Sequence, residues 1–147
     1  QVTKVIARDT LGSRSLSYFG DFLRLEHAEN AGAFLSLGAS MSPQLRFWVF
    51  TIAVAVLMIF ALWFLLSQKA MNTWTTVSLT LMAAGGIGNL IDRATRGTVT
   101  DFLNLGIGWL RTGIFNVADM AIMVGMAMML IQTFFSNSKN EAQKRES

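Results

Sequence analysis

The sequence predicts a mainly α, polytopic membrane helical bundle with three visible spans and a small extramembrane β-sheet. Three observations predict it. Charged residues make up 14% of the 147, against about a quarter in a typical soluble domain. Arg46 and Lys69 are separated by 22 uncharged residues, and Lys69 and Asp92 by another 22. Between Arg111 and Lys139 the only charge is Asp119. Roughly 20 apolar residues of helix cross a bilayer core, so each interval has room for one span. Three such helices in so short a chain leave too little polar sequence to cover them in water.

Residues 1–44 read as an extramembrane, strand-rich segment. Leu23 and Leu25 alternate with Arg24 and Glu26, the period of a half-exposed strand. A small sheet lying against the membrane surface is expected there. Pro43 suits the first turn of the next helix. The first span is 45–66, with Trp48 and Trp63 toward its two ends, where amphipathic rings favour the interface. The second is 74–91. Its Gly85, Gly86 and Gly88 allow close helix approach in lipid. A loop from Asp92 to Gly113 contains an extended stretch, Thr98 to Leu105. The third span is 114–135, and 136–147 reads as a disordered polar tail. The chain is one domain.

Several function classes drop out early. There is no cysteine, hence no thiol chemistry and no disulfide framework. The net charge is +3 and the basic residues form no stripe, which argues against nucleic acid. The single histidine, His27, has no HExxH or GxSxG context. With Glu29 alone it makes no metal site.

Carboxylates are left to carry the chemistry. Asp119 falls inside the third span, where an ionised group costs about 2.5–3.5 kcal/mol or more at mid-bilayer. With the helix starting at Ile114, it lies roughly 8 Å in. Asn116 precedes it by three residues and shares its face. Asn89, Asp92 and Arg93 cluster at the end of the second span, on the same side of the membrane. Asp101 sits on the connecting loop. These groups can converge at one membrane–water boundary, and two converging carboxylates can share a proton. Blander readings stand beside this one. Asp92 and Arg93 can pair with each other, and Asp119 can pair with Arg93 or Arg111. A transporter component or a glycine-packed assembly subunit would also contain such helices.

Four segments then resemble one family. Asn30-Ala31-Gly32-Ala33-Phe34 is similar to its N-x-G-A segment, and Gly88-Asn89-Leu90-Ile91-Asp92-Arg93 to G-N-x-x-D-R. Val99-Thr100-Asp101-Phe102 resembles V-x-D-F, and Phe115-Asn116-Val117-Ala118-Asp119 resembles F-N-x-A-D. The family is that of the lipoprotein signal peptidases (signal peptidase II). The resemblance implies an aspartyl endopeptidase that removes signal peptides from bacterial prolipoproteins, N-terminal to a diacylglyceryl-modified cysteine. It implies Asp101 and Asp119 as the catalytic pair, with Asn30, Gly32, Asn89, Arg93 and Asn116 lining the site and holding substrate. No metal or organic cofactor is implied. Membrane lipids and globomycin-type peptide inhibitors are the other implied partners. The implied location is the bacterial cytoplasmic (inner) membrane, multi-pass, with the active site near the outer face. The family has four spans, the first ending near D-Q-x-x-K. Gln1-Val2-Thr3-Lys4 resembles the last part of that motif, so a further helix is expected ahead of it.

Overall fold

The computed structural model describes residues 1–31, 41–67 and 71–146. In chain order they form α1 (Val2–Leu11), β1 (Ser15–Tyr18), β2 (Leu23–Asn30), α2 (Pro43–Ser67), α3 (Thr73–Arg96), β3 (Val99–Ile107), β4 (Leu110–Arg111) and α4 (Val117–Glu146). The fold is mainly helical with one small antiparallel sheet, of order β1-β2-β3-β4.

The helix ends follow from local chemistry. Ser42 Oγ accepts from the Leu45 amide at 3.3 Å at the start of α2. Asn72 caps α3, its side chain accepting from Thr75 N at 2.8 Å. Gly97 closes α3 in the left-handed region at φ 81°, its N–H returning to Arg93 O. Helix α3 thus reaches four residues past Asp92, where the sequence predicts a loop. Asp92 and Arg93 therefore lie on its last turns.

Among the described residues two helices are long and apolar enough to cross a membrane, Thr73–Arg96 and Val117–Phe135, while Thr51–Ser67 of α2 is a shorter apolar stretch. Helices α3 and α4 run antiparallel. Trp74 Nε1 donates to Met128 O at one end, and Asn89 Nδ2 donates to Asp119 at the other. Glycines allow this approach. A Cβ on Gly85 would strike the Ala118 carbonyl, and one on Gly125 would come within 2.5 Å of the Ser78 carbonyl. Large apolar side chains point outward along α2 and α4, among them Ile59, Trp63, Leu66, Met123 and Phe134. An apolar surface of that extent fits lipid as its solvent.

The sheet joins the far ends of these helices. Strand β2 pairs with β3 through Ala28↔Asp101 and Asn30↔Val99, with a register shift between Leu25 and Ala28. Gly106 N donates to Phe22 O at 2.9 Å, so the two hairpin tips lie side by side. Phe19, Phe22, Ile107, Trp109 and Leu110 form an exposed fringe there. Between α1 and the sheet the core is Ala7, Leu11 and Phe102, with Leu25 and Leu103 against them.

Three expectations are corrected. Segment 1–44 is not strand-rich throughout, because Val2–Leu11 is a helix that buries Lys4, Ala7 and Leu11 on one stripe. The last helix starts at Val117 and not at Ile114, because the residues before it pair with β3. Phe115 N donates to Leu103 O and Phe115 O accepts from Leu103 N, both at 2.8 Å. The tail expected to be disordered continues α4 to Glu146; Lys, Glu, Gln and Ala there are good helix formers.

Candidate active site

The start of α4 builds half of the site. Asn116 Oδ1 accepts from the Ala118 and Asp119 amides at 2.7 and 3.2 Å. Asp119 Oδ2 accepts in return from Asn116 N at 3.0 Å. This reciprocal arrangement is a capping box with aspartate at the third helical position. The carboxylate of Asp119 is therefore oriented by its own helix start, where the helix dipole favours negative charge. It sits in the first turn, about 3 Å along the axis, shallower than the sequence predicts.

Strand β3 builds the other half. Asp101 is 2% exposed. Asn30 Nδ2, on the paired strand, donates to its Oδ2 at 3.0 Å. Asn116 Nδ2 donates to its Oδ1 at 2.6 Å. Asn116 thus touches both aspartates, one through its side-chain amide and the other through its backbone N–H. It is 0% exposed. Asn89 from α3 completes the cluster. Its Nδ2 donates to Asp119 Oδ1 at 2.7 Å, and its Oδ1 accepts from Asn116 Nδ2 at 3.1 Å.

Burial pushes the Asp101 carboxyl above its usual range. The donors on Asn116 and Asn30 oppose that push, and the nearby Asp119 charge adds to it. Asp119 is half-buried and more open than its partner. Arg93 interacts electrostatically with Asp119, Asp101 and Asp92. Among the described residues its buried Nε has no hydrogen-bond partner.

Asn30, Asn89, Arg93, Asp101, Asn116 and Asp119 are thus brought to one end of the helices. Gly32 lies outside the described residues. Asp92 does not pair with Arg93. It is paired with Lys4, at 2.7 Å, because adjacent helical residues point in different directions. Arg111 serves Asp21 at 3.3 Å and is not a partner of Asp119. His27 pairs with Glu29 at 2.8 Å, and among the described residues no cluster could hold a metal ion. Lys4 enters the sequence reading only as the end of a D-Q-x-x-K resemblance, with no place in the site; the structure puts its ammonium on Asn89 and Asp92.

The fold and this cluster define a helical membrane protein with two carboxyl groups bridged at one end of its helices. The chain belongs to the signal peptidase II family, whose description, Signal peptidase (SPase) II, matches residues 1–135. The lipoprotein signal peptidase of Borrelia hermsii is 34% identical over 141 residues, covering 92% of this chain and 82% of that one. That of Borreliella burgdorferi is 39% identical over 134 residues, covering 88% and 78%. A solved structure described as a bacterial membrane enzyme by the in meso method at 2.3 Å resolution superposes with a TM-score of 0.81. It is 29% identical, with 95% of this chain and 82% of that one covered.

Proposed function

We propose that this protease works as an aspartic-type enzyme, with Asp101 and Asp119 as its catalytic pair. Membership of the signal peptidase II family makes the reaction the removal of signal peptides from prolipoproteins. The observation that carries the aspartic mechanism is one buried residue, Asn116, hydrogen-bonded to both carboxyl groups, to Asp119 through its backbone N–H and to Asp101 through its side-chain amide.

Two carboxyl groups joined through one residue, each feeling the other's charge, can share a proton. Burial favours Asp101 as its holder, and Asp119 is then the base. Asp119 takes a proton from water as the oxygen attacks the scissile carbonyl carbon. Asp101 gives its proton to the carbonyl oxygen. Collapse of the tetrahedral species breaks the C–N bond as Asp119 passes the proton it took from water to the leaving nitrogen and Asp101 recovers its own from the hydroxyl group. The signal peptide leaves as a carboxylic acid and the new N-terminus as an amine. No metal or cofactor enters this scheme.

The substrate cysteine carries a diacylglyceryl group and stands just after the cleaved bond. Its acyl chains stay in the hydrocarbon beside α3 and α4 while the backbone reaches the polar end. Arg93, whose Nε has no partner among the described residues, and Asn30, Gly32, Asn89 and Asn116 hold that backbone. Globomycin-type peptides compete for the same place. The chain is read as multi-pass, with α2, α3 and α4 as three spans in the bacterial cytoplasmic membrane. The sheet and the site then lie at the outer face, the aromatic fringe around Trp109 resting in the headgroup region.

The test is cleavage of a diacylglyceryl-modified lipobox peptide by purified protein in lipid–detergent bicelles. Asp101→Asn and Asp119→Asn should each lower turnover at least 1,000-fold with the protein still folded and inserted. Turnover near the wild-type rate in either variant refutes the paired-aspartate mechanism.

A further inference from the structure

We propose that Lys4 is a positioning residue for the reaction, acting on Asp119 through the side chain of Asn89. This deepens the paired-aspartate reading above and rests on it. Lys4 is 2% exposed, a rare environment for a lysine unless it is paired. Its ammonium donates to Asp92 Oδ2 at 2.7 Å, to Asn89 Oδ1 at 2.8 Å and to the Gly88 carbonyl at 3.5 Å. All three hydrogens of the group are thereby used.

The bond to Asn89 has a consequence for the site. An amide side chain has one acceptor end and one donor end, and which faces which way is decided by its neighbours. The oxygen of Asn89 faces two donors, Lys4 Nζ and Asn116 Nδ2. Its nitrogen is therefore turned to Asp119 Oδ1. A flipped Asn89 would set its oxygen against the carboxylate and its NH2 against an ammonium. Lys4 is the stronger of the two constraints, because its bond is charge-assisted. It thereby keeps a donor on Asp119, whose other oxygen already accepts from the capping box.

The surroundings of Lys4 favour this role over simple anchoring. Gln1 Nε2 donates to Gly88 O at 2.6 Å, and Arg8, one turn along the same face of α1, donates to Thr100 Oγ1 at 2.8 Å. Helix α1 is thus held to α3 and β3 by contacts besides Lys4. Lys4 alone of these reaches a side chain that touches a candidate catalytic carboxyl group.

The experiment measures kcat, KM and the thermal midpoint of the full chain on a diacylglyceryl-modified lipobox peptide in bicelles. Lys4→Met alone strands the buried Asp92 charge, so it is combined with Asp92→Asn, which removes both charges together. The expected result is a kcat at least tenfold lower, KM within twofold and the thermal midpoint retained. Lys4→Arg, which keeps a charged donor, should recover most of the loss. In an Asn89→Ala background the same double substitution should cost less than a further twofold, since the side chain it acts through is gone. Wild-type kcat in the folded double variant overturns the proposal, and so does a loss that multiplies fully with Asn89→Ala. If the double variant does not fold, Lys4→Gln decides. It leaves a neutral amide in place of the ammonium and should lower kcat three- to tenfold at constant KM; unchanged kcat overturns the proposal. Asp119→Asn is measured alongside. Its retained turnover would refute the paired-aspartate reading itself, whereas a dead Asp119→Asn with an unaffected Lys4 variant refutes the positioning role alone.

Discussion

Asn116 performs two tasks that one substitution separates. Its oxygen caps α4, and its NH2 holds Asp101 and Asn89. Serine caps a helix about as well as asparagine, whereas alanine forfeits roughly 1 kcal/mol. Neither reaches Asp101. The lost donor served a buried carboxyl group, and hydrogen bonds to charged groups contribute about 1.5–3 kcal/mol. Felt fully in the transition state, that is roughly a 10- to 100-fold loss of kcat. Asn116→Ser and Asn116→Ala should therefore lose similar activity. Only Asn116→Ala should also lose the cap, lowering the melting temperature by about a further 2–4 °C for a chain of this size. The assays are turnover of the lipidated peptide at saturation and thermal unfolding of the purified protein. Asn116→Ser with kcat within twofold of wild type would refute the bridging role. Equal melting losses in the two variants would refute the division of tasks.

Two further outcomes are expected. Asp101 sits above its usual value of 3.8, chiefly through burial, so its contribution to stability is greatest below 3.8 and declines as pH rises through its folded value. Asn30 donates to the ionised form. Asn30→Ala should therefore raise that value further and move the descending, high-pH limb of the kcat profile to higher pH; a fixed or acid-shifted limb contradicts the assignment of Asp101 as the acid. At the helix contact, Gly85→Ala should lower both kcat and melting temperature, because its Cβ meets the backbone carbonyl of Ala118 next to Asp119. Gly86→Ala should be milder, because it meets the flexible end of Met58. The reverse ranking, read by melting temperature, would contradict the packing of α3 on α4.

The parts legible in the sequence are those set by local pattern. Long uncharged runs marked the apolar helices, and alternation at Leu23 to Glu26 marked β2. The extended stretch after Thr98 is β3. Elimination of other residue sets points to carboxylates, and the resemblance of Val99–Phe102 and Phe115–Asp119 to family segments is what implies Asp101 and Asp119 as the pair. What stayed hidden depends on partners distant in the chain. Lys4 and Asp92 are 88 positions apart, and the motif resemblance that includes Lys4 does not say which group it faces. The buried stripe of α1, at positions 4, 7 and 11, has helical spacing, but a cation occupies one of its three places, which conceals the period. The start of α4 was misplaced for a related reason. Ile114 and Phe115 are apolar enough to extend a span, yet the Asn116-to-Asp119 spacing was itself a capping signal.

The two carboxyl groups are held by independent frames. Asp119 is fixed relative to α4 by the helix start, and Asp101 is fixed relative to β2 and β3 by strand pairing. Their alignment depends on the bonds that cross between them: Phe115 to Phe102 and Leu103 along the backbone, and Asn116 to Asp101 through side chains. Thr100 N donating to Asp92 at 3.1 Å adds a third tie, between β3 and α3. Asp92 is in turn neutralised by Lys4. Buried polar groups linked in this way cost much when one member is lost and little when all are satisfied. Hence the residues whose loss should matter most are those at the crossings, and Asn116 stands at the only one that touches both carboxyl groups among the described residues.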